Sequence, residues 1–255
     1  MKHLHKKFHP IEFISFTLVF FFIATNVFFL KAQENITSKK NIVVLLHGLG
    51  RSKSSMWLLQ SRFEHAGFLV KAVGYHSLDR EPEQILDDVT KQINAFHIDS
   101  TQTVHFVGHS LGGLLIRAYL DSNTVHSLGR VVLIGSPSKG TPFVDHFHDE
   151  WWMKLAGPTA NALGTDEKSF PKTLRPPYYP IGIIAGVSNI IDNEQFIPGE
   201  DDGVVPVEST KIEGMTDFVV IETSHSMMRY NESVAQQTIE FLTHGRFIKK
   251  EIQRK

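Results

Sequence analysis

Apolar residues in this chain gather into short continuous blocks, and between the blocks they recur every three or four positions. Residues 42–46, 68–73, 104–107, 131–134, 181–185 and 218–221 form the blocks. Blocks of this length without polar alternation predict strands buried on both faces. The intervening spacing predicts helices over 54–66, 81–96, 111–120 and 232–242. In the second of these, Ile85, Leu86, Val89, Ile93 and Phe96 fall on one helical face. Pro82 suits its first turn, and Asp79 or Ser77 would supply the cap. Strand and helix thus alternate, which predicts an α/β fold: a mostly parallel central sheet of about six strands with helices on both faces.

One interval breaks the alternation. Residues from about 142 to 180 lie between two predicted strands and carry Trp151, Trp152, Met153 and Leu155, followed by the stiff run Pro171, Pro176, Pro177 and Pro180. An insertion of this length reads as a cap over a site. Trp151 and Trp152 are its candidate substrate contacts, the alternative being that they only pack the cap onto the body.

At the N-terminus, Lys2, Lys6 and Lys7 precede an apolar run over 11–30. A basic flank followed by such a run predicts an export signal or an N-terminal membrane anchor over residues 1–32. The run is long for a signal, and Leu30-Lys31-Ala32 is a poor cleavage site, so both readings stand. His3, His5 and His9 extend the polar flank. Lysines remain on the cytoplasmic side, so the body, residues 33–255, is expected in the periplasm or outside the cell.

Beyond residue 32 the chain has 22 basic and 26 acidic side chains, a net charge of about −4, which gives no electrostatic reason to bind nucleic acid. There is no cysteine, so disulfides, thiolate metal sites and a cysteine nucleophile are excluded. His146, His148, Asp149 and Glu150 have no second ligand cluster and read as a solvated face rather than a metal site.

The chemistry centres on Gly108-His109-Ser110-Leu111-Gly112, which follows an apolar strand and opens a helix. In a turn this tight, side chains two positions either side of Ser110 would collide, so glycine is required at both, and the serine hydroxyl stands clear of the sheet. Ser110 needs a base. Fourteen histidines are available, but only His225 comes directly after the last predicted strand and before the last helix, in the position that the chain order serine, acid, histidine demands. The acid should lie between 185 and 225. Candidates there include Asp192, and Gly199-Glu200-Asp201-Asp202-Gly203 stands out, because a carboxylate beside a turn glycine can be held by backbone N–H groups. Asp202, directly before Gly203, is preferred to Asp201. Leu111 follows the nucleophile, and Leu49 lies in the glycine turn 47–50 after the first strand; their amides are the candidate oxyanion hole.

Together these motifs resemble the α/β-hydrolases, specifically the bacterial lipase and esterase group, with an HGxG oxyanion loop (47–50), a GHSxGG elbow (108–113), a Gly-Ser-Pro to Gly-Thr-Pro stretch (135–142), an acid in DGxVP (202–206) and a late histidine. The resemblance implies hydrolysis of a small-molecule or lipid ester by Ser110, Asp202 and His225; membrane contact is expected through the N-terminal segment. An acyltransferase, thioesterase or amidase would use the same acyl-serine chemistry, and a silent binding protein the same fold. In two places the chain departs from the pattern. Calcium-dependent relatives carry an aspartate soon after the histidine, whereas Ser226, Met227 and Met228 follow here, so no metal or other cofactor is expected; and Ser138 stands where relatives often have histidine.

Overall fold

The structure, a computed structural model, describes residues 40–188 and 194–249, apart from the side chain of Trp152. The expectations for residues 1–32 and the candidate acid Asp192 lie outside the described residues.

Six strands form one sheet: β1 (Ile42–Leu46), β2 (Leu69–Val73), β3 (Val104–His109), β4 (Leu128–Ile134), β5 (Ile181–Val187) and β6 (Asp217–Glu222). They lie in the order β2-β1-β3-β4-β5-β6, and every pairing is parallel. Helices α1 (Trp57–His65), α2 (Pro82–Asn94) and α3 (Leu111–Ser122) make the first three crossovers. Four short helices fill the insertion between β4 and β5: α4 (Pro142–Phe147), α5 (Trp151–Leu155), α6 (Pro158–Asn161) and α7 (Phe170–Thr173). A single turn, α8 (Val207–Thr210), precedes β6, and α9 (Glu232–His244) follows it.

The continuous apolar strands have a direct cause. Successive side chains of a strand point to opposite faces. In β1, Ile42, Val44 and Leu46 pack with Ile85 and Val89 of α2 and Leu115 of α3. Val43 and Leu45 pack on the other face with Phe63 of α1 and Phe241 of α9. Both faces are dry, so neither set has reason to be polar. The edge strands and the start of β4 depart from this: in β6 Val220 is 41% exposed, and Leu128, Gly129 and Arg130 of β4 are half-buried.

The cap of α2 corrects the expectation. Glu81, not Asp79 or Ser77, is its N-cap, and the Gln84 side chain returns to accept the Glu81 amide at 3.0 Å, satisfying donors that a helix start leaves unpaired. Ser77 is used elsewhere: its Oγ accepts the Gly50 amide at 2.9 Å.

Strand order reverses between β1 and β3. Loops leaving their C-terminal ends therefore part in opposite directions and open a crevice, the place where open parallel sheets carry their sites. Among the described residues no helix is long and apolar enough to cross a membrane.

Candidate active site

Strand β3 delivers Ser110 into that crevice. Its backbone has φ 56° and ψ −124°, and among the described residues it is the one non-glycine with positive φ. Such a conformation costs an L-residue energy and persists only where surrounding structure holds it. The neighbouring glycines show what does so. A Cβ on Gly108 would sit 2.4 Å from the Gly113 nitrogen, and one on Gly112 would sit 2.6 Å from the carbonyl oxygens of Leu46 and His47. The elbow can therefore fold back on its helix and press against β1 only with glycine at both positions.

From the serine a continuous chain of hydrogen bonds runs inward. Ser110 Oγ lies 3.0 Å from His225 Nε2, and His225 Nδ1 lies 2.7 Å from Asp202 Oδ2. The other oxygen, Asp202 Oδ1, accepts the amides of Val204 at 3.1 Å and Val205 at 2.8 Å. The His225 amide donates to the Asp202 carbonyl at 2.8 Å, so acid and base are joined through backbone as well as side chain. The Asp202 side chain is fully buried. Its neighbour Asp201 turns its Oδ1 to the Gly203 amide instead, at 2.6 Å.

The loop after β1 is held by aromatic and polar contacts. The His47 ring stacks on Tyr75 at 4.0 Å; its Nε2 accepts the Tyr75 amide at 3.3 Å, and its Nδ1 donates to the Gly48 carbonyl at 2.9 Å. Burial lowers the His47 pKa, consistent with this neutral tautomer. Burial raises that of Tyr75, whose hydroxyl donates to the His47 carbonyl. Leu49 is thereby set in the wall of the cavity that holds Ser110. Leu111 opens α3, so its amide has no acceptor within the helix.

That cavity has a volume of about 220 Å³. The cap lines part of it: Phe143 and Val144 of α4, Met153 of α5, then Ala156, Ala160 of α6 and Leu163. Trp151 does not join them. It is 70% exposed, because Met153 and Ala156 define the inward face of its short helix and Trp151 falls on the other. The Trp152 side chain lies outside the described residues.

Two positions escaped the sequence reading. Inside the elbow, His109 donates Nε2–H to the His225 carbonyl at 2.9 Å, with the two rings 4.9 Å apart. Burial, with the adjacent His225, holds its pKa well below the usual range, so the ring is neutral. Only its place as the variable residue before the serine marked it. Gly135, at the end of β4, has φ 58°, and a Cβ there would come 2.7 Å from Met228 Sδ and 3.4 Å from His225 Nδ1. Ser138 is buried nearby, and its Oγ has no hydrogen-bond partner among the described residues.

His146 packs against Phe147 and Phe196, and His148 pairs with Asp149 at 3.1 Å on the surface. Among the described residues no group of three or more His, Cys, Asp or Glu side chains is arranged to hold a metal ion.

The architecture is that of α/β-hydrolases of known structure. The mature form of the Bacillus licheniformis lipase BlEst2 superposes with a TM-score of 0.65 at 18% identity, over 82% of this chain and 93% of that one. An extracellular α/β-hydrolase from a Paenibacillus species gives 0.52 at 15%, over 79% and 98%. EstA from Clostridium botulinum gives 0.53 at 12%, over 80% and 87%. At these identities the likeness establishes the fold. No curated protein matches in sequence. A family model does, that of palmitoyl protein thioesterase, over residues 42–174. This stretch is more than half of the chain and runs from β1 through the elbow to the last cap helix, and by it the chain belongs to the palmitoyl protein thioesterase family.

Proposed function

We propose that this protein is a serine hydrolase that cleaves carboxylic esters through an acyl intermediate on Ser110. The observation that carries the reading is the unbroken chain from Ser110 Oγ through the His225 ring to buried Asp202, with both ring contacts at hydrogen-bond distance. In this mechanism His225 Nε2 takes the Ser110 proton as Oγ attacks the carbonyl carbon. Asp202 accepts Nδ1–H, fixes that tautomer and stabilises the imidazolium. The Leu49 and Leu111 amides receive the oxyanion. Collapse expels the alcohol, which takes the proton from His225; water, activated by the same ring, then attacks the acyl-serine, and the acid leaves with Ser110 restored.

Family membership favours a second reading in which the leaving group is a thiol rather than an alcohol. The tetrahedral species and the residues that serve it are the same, so only the leaving-group side differs. The basic flank and apolar run of residues 1–32 support delivery of this hydrolase across a membrane; fractionation of cells, with N-terminal sequencing of the product, tests that and distinguishes cleavage from anchoring.

A fluorophosphonate probe should label the protein covalently, and Ser110→Ala should abolish the labelling and lower kcat by a factor of about a thousand or more. Absence of labelling in the folded wild type overturns the serine mechanism. Paired p-nitrophenyl and thiol esters of one acyl group then identify the preferred leaving group.

A further inference from the structure

We propose that Arg51 determines the choice of leaving group, and that the enzyme prefers esters and thioesters whose leaving group carries an anion, a carboxylate or a phosphate, within reach of that guanidinium. This rests on the proposed acyl-serine chemistry and adds to it the class of leaving group.

Among the described residues that line the cavity at Ser110, Arg51 is the one with a permanent charge; none is a carboxylate, and His109 is neutral. The loops around it keep the same sign. Residues 47–57 and 223–231 contain Arg51, Lys53 and Arg229 and no Asp or Glu, although the body as a whole is acidic. Among the described residues none of these three cations is in an ion pair, so an incoming anion would displace no carboxylate.

The backbone on either side of Arg51 is held while its side chain is exposed. Before it, the Gly50 amide donates to Ser77 Oγ at 2.9 Å; after it, the Ser52 carbonyl accepts the Ser55 amide at 2.9 Å. A guanidinium presents a planar fork of donors that matches a carboxylate or a phosphate, and it is more weakly hydrated than an ammonium.

Arg229 shows which part of the substrate Arg51 faces. This buried side chain donates Nε–H to the Ser226 carbonyl at 3.2 Å and reaches the Ser55 carbonyl with Nη1 at 3.5 Å, so it ties the turn after Arg51 to the residue after His225. In the proposed mechanism His225 protonates the departing alcohol or thiol, which puts Arg51 on the side from which that group leaves. Burial lowers the Arg229 pKa, Tyr230 opposes this, and the Arg51 charge lowers it further, as two cations held near each other should. An aliphatic acyl chain offers a cation nothing, whereas a charged leaving group does.

The full-length protein should be assayed with thioesters that differ only in the charge of the leaving group, and with the matching oxygen esters. The pairs are 3-mercaptopropanoate against its amide and 2-mercaptoethyl phosphate against 2-mercaptoethanol, with thiocholine as the cation. Each is made with a hexanoyl group and with a palmitoyl group kept below its aggregation limit. In wild type each anion should exceed its neutral partner in kcat/KM by about tenfold, the size of one charge-assisted hydrogen bond at an exposed site. The larger of the two ratios identifies carboxylate or phosphate, and about 1 M NaCl should remove most of it. Arg51→Gln should bring the ratio close to one, Arg51→Lys should keep part of it, and Arg51→Glu should favour thiocholine. A folding defect lowers both members of a pair together, so the ratio is the readout. Equal rates for anionic and neutral partners in wild type overturn the proposal, as does a preference that follows a carboxylate placed on the acyl group instead. A fall in kcat common to every leaving group in Arg51→Gln, with the ratio unmoved, also overturns it, since the guanidinium would then serve the oxyanion. So does labelling by the fluorophosphonate without cleavage of either series. Lack of cleavage together with lack of labelling would instead overturn the acyl-serine reading itself.

Discussion

Ser110, His225 and Asp202 reach one another only because each is fixed by backbone at its own end. Replacing Asp202 by Asn keeps the shape and leaves Oδ1 to accept the Val204 and Val205 amides, but puts an NH₂ opposite His225 Nδ1. The ring must then carry its proton on Nε2, the atom that should receive the proton of Ser110. Asp202→Asn should therefore lower kcat by a factor of about 10⁴ with little change in Tm, as read from steady-state kinetics and thermal melts. In the proposed mechanism His109 is a positioning residue. Its Nε2–H holds the His225 carbonyl, while its buried Nδ1 has no partner among the described residues. An apolar residue of similar volume loses the first contact and removes an unsatisfied atom at the same time. His109→Leu should keep Tm within a few degrees and lower kcat about tenfold with KM unchanged, because the base and not the binding wall is disturbed; His109→Gln, which can donate again, should recover most of the loss.

At the scale of elements, the cap is held by close approach rather than by long packed helices. Gly157, with φ 84°, joins α5 to α6, and a Cβ there would overlap the Leu78 carbonyl oxygen at 1.4 Å. Gly157→Ala should lift this corner off the loop before α2, cost about 2 kcal/mol or more, and expose the cap to proteases; urea denaturation and limited proteolysis read the two effects. The same geometry explains what the sequence could and could not show. Interior strands buried on both faces leave a continuous apolar signature, and the half-exposed edge strands β2 and β6 are still apolar at most positions, so all six were legible to within a few residues, as was the elbow, whose glycines are demanded by backbone contact. Helices of four to six residues are too short for a repeat of 3.6 to register, and the cap could be located but not built: Met153 faces the cavity and Trp151 does not, although they are two positions apart. His109 was hidden for another reason. Its partner is a main-chain carbonyl 116 residues away, and no spacing rule encodes such a contact.

For the molecule as a whole, placing uncharged imidazoles in a parallel-sheet core has a consequence for acid stability. His105 in β3 is buried, and its Nδ1 accepts the Arg130 amide at 2.9 Å, so the ring is held neutral. Burial, with the Arg130 charge beside it, lowers its pKa to about 4. His47 and His109 are lowered in the same direction by the same cause. In the unfolded chain each titrates near 6.5, so between about pH 6.5 and pH 4 the unfolded state binds protons that the folded state refuses. Stability is therefore fully present above pH 6.5 and drains away as pH falls, His105 alone contributing about 3 kcal/mol over that window. Asp217, held below the usual carboxylate range by Lys249 and the Phe247 and Phe218 amides against an opposing burial effect, loses its contribution only at lower pH, so the two windows are separable. Urea denaturation between pH 7.5 and pH 4.5 should show a falling midpoint. His105→Gln, able to accept the same Arg130 amide, should flatten the dependence of unfolding free energy on pH by about 1.4 kcal/mol per unit. An unchanged slope in that variant would mean that the imidazole is charged in the folded core, and that would require a counter-ion which neither Arg130 nor the facing ring of Phe68 supplies.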